Sequence, residues 1–460
     1  MALTKAHNRM ISSVAANVKD FGAVGDGVAD DTSAINLALA SGALDVLVPE
    51  GTYLISGTLV VPEFCTFRGV GYGGSQSVIK QKDGANMNAP MIANKAWDDN
   101  ASLSGGPVTL KDIFIDGNSD NNTGSADGCA LMTYQSVVEG VQVFKATGNG
   151  IRITGRNKAG SAIGGGAAEN RVQNCRVTRV KKDGIKVDPD VSALTDTYIL
   201  NNTVGFCDEN GISARAGSKI IGNHLYDIGF DGIAESAGFN SVMCSNKIED
   251  WGQSATTGDY HAYIVYAQVV NRPSKISGNN AILTNAVSGT TYWVFGATFP
   301  TGSTTSTGRV VIDGNSALLL GAENTVRASG SGSGTVVLIN NSIDGYTAIH
   351  IDNLGANQIV HYGNTFDKDF LALAGSGTPS VLQGCMFETS ASTITYSNFT
   401  NGYEGQEIVF YVAHAPTTVD FTSSNLKGNA GVDWTPSVGD FMRCVKRGND
   451  WLCQITDTTV

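Results

Sequence analysis

Asn202 and Asn223 open two stretches, NTVGFCDENGISAR and NHLYDIGFDGIAES, that align without a gap. Asn210 falls on Asp231, and Gly211-Ile212 falls on Gly232-Ile233. NCRVTRVKKDGIKVD from Asn174 and NKIEDWGQS from Asn246 share the pattern. Gly150-Ile151 and Gly184-Ile185 fall in the same Gly-Ile column. Further turns follow at VVIDGNSA (Val310), VVLINNSI (Val336) and IVHYGNTF (Ile359). Short repeats of this kind cannot bury an apolar face singly, so they stack as coils of a solenoid. A recurring Asn is then a stacked ladder at a bend, its amide bonding to the next coil. Recurring Gly supplies the bend.

A solenoid overrides the prior of about three domains that 460 residues would suggest. The chain carries 56 Gly and only 10 Pro, as a frequently turning chain would. Hydrophobic content of 42% with 16% charged residues argues against wholesale disorder. A net charge of −12 argues against nucleic-acid and anionic-membrane partners, whose phosphates need clustered Lys and Arg. No apolar run reaches the length of a membrane span, and residues 1–18 lack the apolar stretch of a secretory signal. The eight Cys form no C-x-x-C pair and read as buried free thiols of a protein folded in a reducing cytoplasm. In CVKRGNDWLC, a hairpin turn at Gly448-Asn449 sets Cys444 opposite Cys453.

Residues 1–17 read as a lead-in segment, helical around Ala6 to Val14. Asp30, Asp31 and Thr32 are helix N-cap types, Ala34, Ile35, Ala38 and Leu39 share a helical face, and Gly42 is a stop. That amphipathic helix is the expected cap on the open N-terminal end of the solenoid. Val46 to Val48, Tyr53 to Ile55, Leu59 to Val61 and Thr66 to Arg68 read as short strands. Residues 286–308, rich in Thr, Ser and Gly around Tyr292-Trp293, read as an elaborated loop. From about Thr395 longer strands with period-two alternation predict a small separate β-domain.

VKDFGAVGDG with DDTSAI (Val18 to Ile35), VPEGTY (Val48 to Tyr53) and FRGVG (Phe67 to Gly71) resemble the opening of the pectate-lyase-like right-handed parallel β-helix. With the preceding TKAHNRMI, the opening is similar to bacteriophage tailspike depolymerases. The resemblance implies an all-β chain: a right-handed parallel β-helix over 18–390, an N-terminal capping helix, and a sandwich-like β-domain over 391–460 for trimerisation or carbohydrate binding. It implies a homotrimer on the phage tail or baseplate, made in the host cytoplasm and acting at the bacterial surface on capsular or O-antigen polysaccharide. It implies no cofactor. The fold hosts hydrolases, lyases and esterases, so it does not choose the reaction.

No nucleophile elbow, Walker motif or H-E-x-x-H is present, so stacked carboxylates are the candidate chemistry. Adjacent coils rise by about 4.8 Å, so one or two coils span both carboxylate separations that glycosidases use. Glu209 and Glu235, then Asp188 and Asp231, are the candidate acid and base or nucleophile. Asp183 and Asp231 precede Gly, where a carboxylate can instead bond turn amides. Arg215, Trp251, Tyr260, His261 and Tyr263 are the candidate substrate-binding residues, because aromatic rings stack on sugars. Phe206, Asp227 and Asp250 form a second column, and direct stacking of the two Asp would make one hard to ionise. Hydrolysis is favoured because carboxylates dominate this face. In the alternative β-elimination, His261 or a Tyr is the base and Arg215 or Lys186 neutralises a uronate. A non-catalytic receptor-binding spike or a purely structural virion protein are the readings without catalysis. Asp116, Asn118, Asp120 and Asp127 mimic a calcium loop, but position 6 is Asn121 and no Glu closes it, so the loop reads as a turn with no metal.

Overall fold

The computed structural model describes residues 15–71, 76–188, 191–238, 240–267, 273–299, 308–319, 324–329, 334–344, 351–353, 358–362, 364–366, 371–373, 375–381, 386–402, 404–414 and 417–458. The helix expected around Ala6 to Val14, together with Cys385 and Asp190, lies outside them. The chain winds as a right-handed parallel β-helix with three long sheets of 13, 13 and 11 strands. One coil shows the plan. Tyr198–Leu200 belongs to the first sheet, Thr203–Cys207 to the second and Ile212–Arg215 to the third. The next coil repeats it with Lys219–Ile221, His224–Ile228 and Ile233–Gly238, all paired in parallel with the coil before. Period-two alternation points Ile199, Val204 and Ile212 inward, and all are fully buried.

The bend between the first and second sheets is the predicted ladder. The side chain of each Asn accepts from the backbone and side-chain N–H groups of the Asn one coil earlier, at 2.8–3.0 Å, from Asn202 through Asn223, Asn246, Asn279, Asn315 and Asn341 to Asn364. Each amide also donates inward, as Asn246 does to the Ile220 carbonyl at 2.9 Å. One residue earlier the backbone is left-handed, at Asn174, Asn201, Gly222, Ser245, Gly278, Gly314 and Asn340. Asn174 therefore sits one place off the ladder: Cys175 holds the rung position, and its N–H donates to Asn202 Oδ1 at 2.9 Å.

The bend between the second and third sheets needs glycine for a different reason. A Cβ on Gly150, Gly184, Gly211 or Gly232 would lie 2.5–2.7 Å from the carbonyl oxygen of the next coil. The following Ile N–H bonds that same carbonyl, for example Ile185 to Gly211 at 3.0 Å and Ile212 to Gly232 at 2.9 Å. The coils thus stay hydrogen-bonded through the bend.

Helix α1 (Thr32–Leu39) caps the N-terminal end and buries Ile35, Ala38 and Leu39. Asn36 replaces a missing strand. Its side chain accepts from Val60 N at 2.9 Å and donates to Thr58 O at 3.0 Å, at the edge strand Leu59–Val61 of the third sheet. Asp31 does not cap the helix. Its carboxylate is buried and accepts from Val24 and Gly25 N–H at 2.7 and 3.1 Å. Residues 286–308 are not simply a loop. Thr291–Thr298 is a buried strand of the third sheet paired with Asp259–Ala267, its short apolar run disguised by Ser, Thr and Gly on both sides.

A second hydrophobic core runs from Leu373 to Trp451 and includes Phe387, Tyr396, Phe399 and Phe410. It lies beneath a mixed six-stranded sheet that starts with Leu371–Ala372 and Met386–Glu388 and ends in the hairpin Phe441–Arg447/Asp450–Thr456. Cys444 and Cys453 face each other in that hairpin, Sγ to Sγ 2.7 Å, and the seven described cysteines are free thiols.

Truncating an inner rung strands several buried groups together. Asn246→Ala leaves the Asn223 N–H, the Asn223 amide and the Ile220 carbonyl without their partner. At about 1–3 kcal/mol per unsatisfied buried group, softened by local relaxation, roughly 3 kcal/mol of stability should be lost. Asn364→Ala, on a half-buried rung, should cost less. Urea midpoints of the two variants check both the size and the order.

Candidate functional site

The outward positions of the third sheet run Ala130, Arg152, Lys186, Ser213 and Ala234 in register. Just before each Gly, the turn into this sheet carries Asp127, Asn149, Asp183, Asn210 and Asp231, and His261 continues the column before Ala262. These form a second polar ladder. Asp127 accepts from Asn149 N and Nδ2 at 2.7 Å. Asn149 accepts from Asp183 N at 3.3 Å, and Asp183 accepts from Asn210 N and Nδ2 at 3.0 Å. Asn210 accepts from Asp231 N at 3.2 Å, and Asp231 accepts from His261 N at 2.6 Å. The alternative reading of Asp183 and Asp231 as turn-bonding carboxylates therefore holds. Both still keep an oxygen or a geometry that serves the face beside them.

That face is built of cations pinned by buried carboxylates. Arg152 forms a two-point bond to Asp188, Nε–Oδ1 2.7 Å and Nη2–Oδ2 3.0 Å, and lies 3.5 Å from Asp127. Thr154 Oγ1 donates to Asp188 Oδ2 at 2.6 Å. Burial works against the Arg152 charge, and Asp188 and Asp127 together overcome it, holding its pKa above the ordinary value. Lys186 is treated alike. Burial opposes its charge, and Asp183 at 2.9 Å, with Glu209 nearby, outweighs that. Glu209 shifts the other way for a carboxyl. Partial burial and the Asp183 charge raise its pKa, and Lys186 and Lys182 offset only part of the rise.

Past Glu209 the site becomes aromatic. His261 Nδ1 lies 3.1 Å from Asp231 Oδ1. The imidazole stacks on Trp293, centroids 6.4 Å apart, and lies over Gly296, where a Cβ would come within 2.9 Å of Nε2. His261 Nε2 is buried and without a hydrogen-bond partner among the described residues. Arg327 lies over Trp293 at 5.5 Å and pairs with Asp259. Tyr260 stacks face to face on Phe230 at 5.2 Å. Tyr266 is exposed, and burial of part of its ring with the Asp231 charge raises its phenol pKa.

The predicted residues separate into three groups. Glu209, Asp231 and Tyr260 lie partly exposed on neighbouring turns, and His261 is buried behind Asp231. Asp188 and Arg215 are on the face but largely covered, Arg215 8% exposed beside Ser236. Both oxygens of Asp188 are used to hold Arg152, which makes it a positioning group. Glu235, Trp251 and Tyr263 are in the solenoid interior, out of reach of a polymer lying on the surface. The reason is alternation: Glu235 stands two residues after inward-facing Ile233, and Tyr263 pairs in register with Ile233. Glu235 is enclosed with Ser241 and Ser274, whose hydroxyls donate to it. Trp251 Nε1 donates to Tyr260 O at 3.3 Å, and Tyr263 Oη donates to the Asn246 and Asn280 carbonyls at 3.1 and 3.0 Å. Arg152 and Arg327 are the members that sequence reasoning missed. G-I-R-I and G-I-K-V share a column, and that pattern alone would have found Arg152 beside Lys186.

The calcium-like loop disperses its carboxylates. Asp120 pairs with Lys145, and Asp127 with Asn149 and Arg152. Among the described residues no three His, Cys, Asp or Glu converge as a metal set, and no helix is long and apolar enough to cross a membrane.

Residues 15–224 match the family described as rhamnogalacturonase A/epimerase, pectate lyase-like. Mannuronan C5-epimerase AlgE2 of Azotobacter vinelandii is 29% identical over 243 residues, covering 47% of this chain and 24% of the epimerase. The K30/K69-specific capsule depolymerase of Klebsiella phage K64-1 is 26% identical over 284 residues, covering 52% of this chain and 35% of the depolymerase. The chain thus spans well under half the length of these curated relatives. Two solved structures share the fold. The A-module of the Azotobacter vinelandii epimerase AlgE6 has a TM-score of 0.52 at 18% identity, covering 76% of this chain and 98% of the module. The Streptococcus pneumoniae surface adhesin PfbA has a TM-score of 0.54 at 17% identity, covering 77% of this chain and 97% of the adhesin.

Glu235 makes a prediction that separates interior from site. Burial pushes its pKa up from 4.5 to about 8, while the unfolded chain keeps the ordinary value. Folding therefore takes up a proton between those two values. Stability should fall as pH rises from about 4.5 to about 8 and level off above. Glu235→Gln, which mimics the protonated form, should flatten that slope and gain stability most at pH 8. Urea midpoints of both proteins at pH 5 and pH 8 test both outcomes.

Proposed function

We propose that this chain is a depolymerase that cleaves a bacterial surface polysaccharide on the outer face of the third sheet. The observation that carries the reading is Glu209, a half-buried carboxyl held toward its protonated form, one coil from Asp231 and flanked by Lys182 and Lys186. In this reading Glu209 protonates the leaving glycosidic oxygen. Asp231, its rotamer fixed by His261, acts from the neighbouring coil as base toward water or as nucleophile. Asp231 stacks on Asn210 and Phe230 on Glu209, so the two carboxyls face each other diagonally across one coil, and the reading requires that diagonal to fall in the range that hydrolytic carboxylate pairs use. Tyr260 on Phe230 supplies a ring on which a sugar can stack. Arg152, Lys186 and Arg327 stand along the same face to orient acidic groups of the polymer. The similarity to a phage capsule depolymerase supports placing the chain on a phage tail, where we expect it to act as a homotrimer.

The contact between His261 and Asp231 favours a second reading, β-elimination. There Asp231, held by the buried His261, removes a proton beside a uronate carboxylate that Arg or Lys neutralises, and Glu209 again serves the leaving oxygen. The epimerase relative from Azotobacter vinelandii supports chemistry of that kind on a related sequence.

Digestion of a panel of capsular and O-antigen polysaccharides, read by mass spectrometry, decides between the two. Oligomers that have gained water at each cut establish hydrolysis, and oligomers with an unsaturated end establish elimination. In either case Glu209→Gln should lower turnover at least about 100-fold, the usual scale of one positioned acid, with the trimer and thermal midpoint unchanged. Full activity in Glu209→Gln would sink this site, and intact polymer bound without shortening would turn the reading to a receptor-binding spike.

A further inference from the structure

At the end of the second sheet, five successive coils carry a left-handed residue: Lys145, Arg179, Phe206, Asp227 and Asp250, with φ between 50° and 60°. Beside the Asn ladder the left-handed column is filled by Gly, Asn and Ser from Asn174 to Asn340, and a third column, at the bend into the first sheet, runs Gln135, Glu169, Asp196, Gly217 and Asn240, where Gln135 and Glu169 bond each other. Gly and Asn adopt this conformation readily, and Lys, Arg and Phe do not. Nothing in the bend itself selects the long side chains at 145, 179 and 206, so their selection points to what they present outward.

They present a groove. A cleft of about 320 Å³ is lined by Lys145, Arg179, Lys181, Phe206 and the carboxylates Asp120 and Asp208. A second, of about 470 Å³, adjoins it across Phe206 and Asp208 and reaches Asp227 and Gln253. The Arg179 guanidinium lies 4.8 Å over the Phe206 ring, and Tyr226 meets that ring edge-on at 5.3 Å. Phe206 is 40% exposed. Lys145 pairs with Asp120 and Lys181 with Asp208, so those charges cancel. Arg179 makes no ion pair within 4 Å among the described residues, although its charge reaches Asp120 across the cleft, and its face rests on the ring.

We propose that this groove is a second saccharide subsite, off the third-sheet face, for a sugar bearing a carboxylate. Phe206 receives the apolar face of the ring, and Arg179 takes the carboxylate by its guanidinium fork. Gln253 and Asp227 in the adjoining cleft meet the hydroxyls of the next unit. Lys181 and Asp208 of its lining directly precede Lys182 and Glu209 in the chain, so the groove borders the site proposed above. The inference rests on that reading for its role in turnover, but not for its binding chemistry.

The test uses the full chain and isothermal titration with oligogalacturonate, oligomannuronate, an α-linked oligosialate and carboxyl-reduced oligogalacturonate. Wild type should bind at least one acidic oligomer, and the neutral one at least tenfold more weakly. Arg179→Gly and Phe206→Gly should each weaken acidic binding at least tenfold. Their thermal midpoints should hold or rise, because glycine suits the left-handed backbone. Unchanged binding in both glycine variants, or no acidic oligomer bound by wild type, overturns the subsite. So does a change in sedimentation mass of the glycine variants, which would make the column a subunit contact. Full turnover in Glu209→Gln alongside lost binding in Arg179→Gly would remove the catalytic assignment and leave the subsite standing.

Discussion

Each coil of this protein is held by hydrogen bonds to the coil beside it, at one fixed spacing, around the whole circumference. Strands meet that demand automatically along their length. Bends do not, because a turn exposes backbone groups that the stacked interior would leave dry. The two bends described here solve the problem differently. Between the first and second sheets, an Asn side chain supplies the missing acceptor and donor on every coil from 202 to 364. Between the second and third, glycine lets the backbone come close enough to keep bonding without help. At the N-terminal end Asn36 repeats the first solution once more, offering a side-chain amide to the strand that edges the third sheet among the described residues.

A solenoid built this way has no central pocket in which to bury a catalytic group, so function must be written in columns on its surface. The columns also dictate the electrostatics. Side chains of successive coils stand about 4.8 Å apart, close enough for like charges to repel and for opposite charges to neutralise one another. Arg152 and Lys186 tolerate partial burial because Asp188 and Asp183 sit beneath them. Those two carboxylates are consumed in the act. What remains accessible is the carboxyl that lacks a dedicated cation, Glu209, and the one tied to an imidazole, Asp231. The same rule explains Asp227. Burial and the neighbouring Asp250 and Glu249 hold its pKa up, as direct stacking of two acids requires.

The repeat made the solenoid, the Asn ladder and the capping helix legible, because each follows from spacing alone. Asn174 was misplaced by one residue because Asn occurs both on the ladder and in the left-handed position before it. Glu235, Trp251 and Tyr263 misled for another reason. Carboxylates and aromatic rings were read as surface chemistry by their type, whereas the period-two alternation from Ile233 already turned Glu235 inward. Thr291–Thr298 was hidden by its flanks, and with it the partnership of His261 and Trp293. Register across coils, which is a three-dimensional quantity, was needed to bring Arg327 from a distant part of the sequence to Asp259 and Trp293.

The left-handed columns show how fold and function compete for the same positions. All three bends place a residue with positive φ on successive coils. In the column beside the Asn ladder the sequence meets that need almost wholly with the cheapest residues. In the column at the end of the second sheet it does not. A side chain of ordinary type in this conformation costs of order 1 kcal/mol, so Lys145, Arg179 and Phe206 together give up a few kcal/mol. That is a sizeable fraction of the net stability of a typical domain. A stacked coil can carry such a loss, since its neighbours hold it in place from both sides. Gln135 and Glu169 carry the same cost at the bend into the first sheet, where their side chains bond each other across coils. A left-handed position is thus given to a longer side chain where that side chain makes a contact that Gly or Asn could not, and to Gly, Asn or Ser where the bend alone must be satisfied.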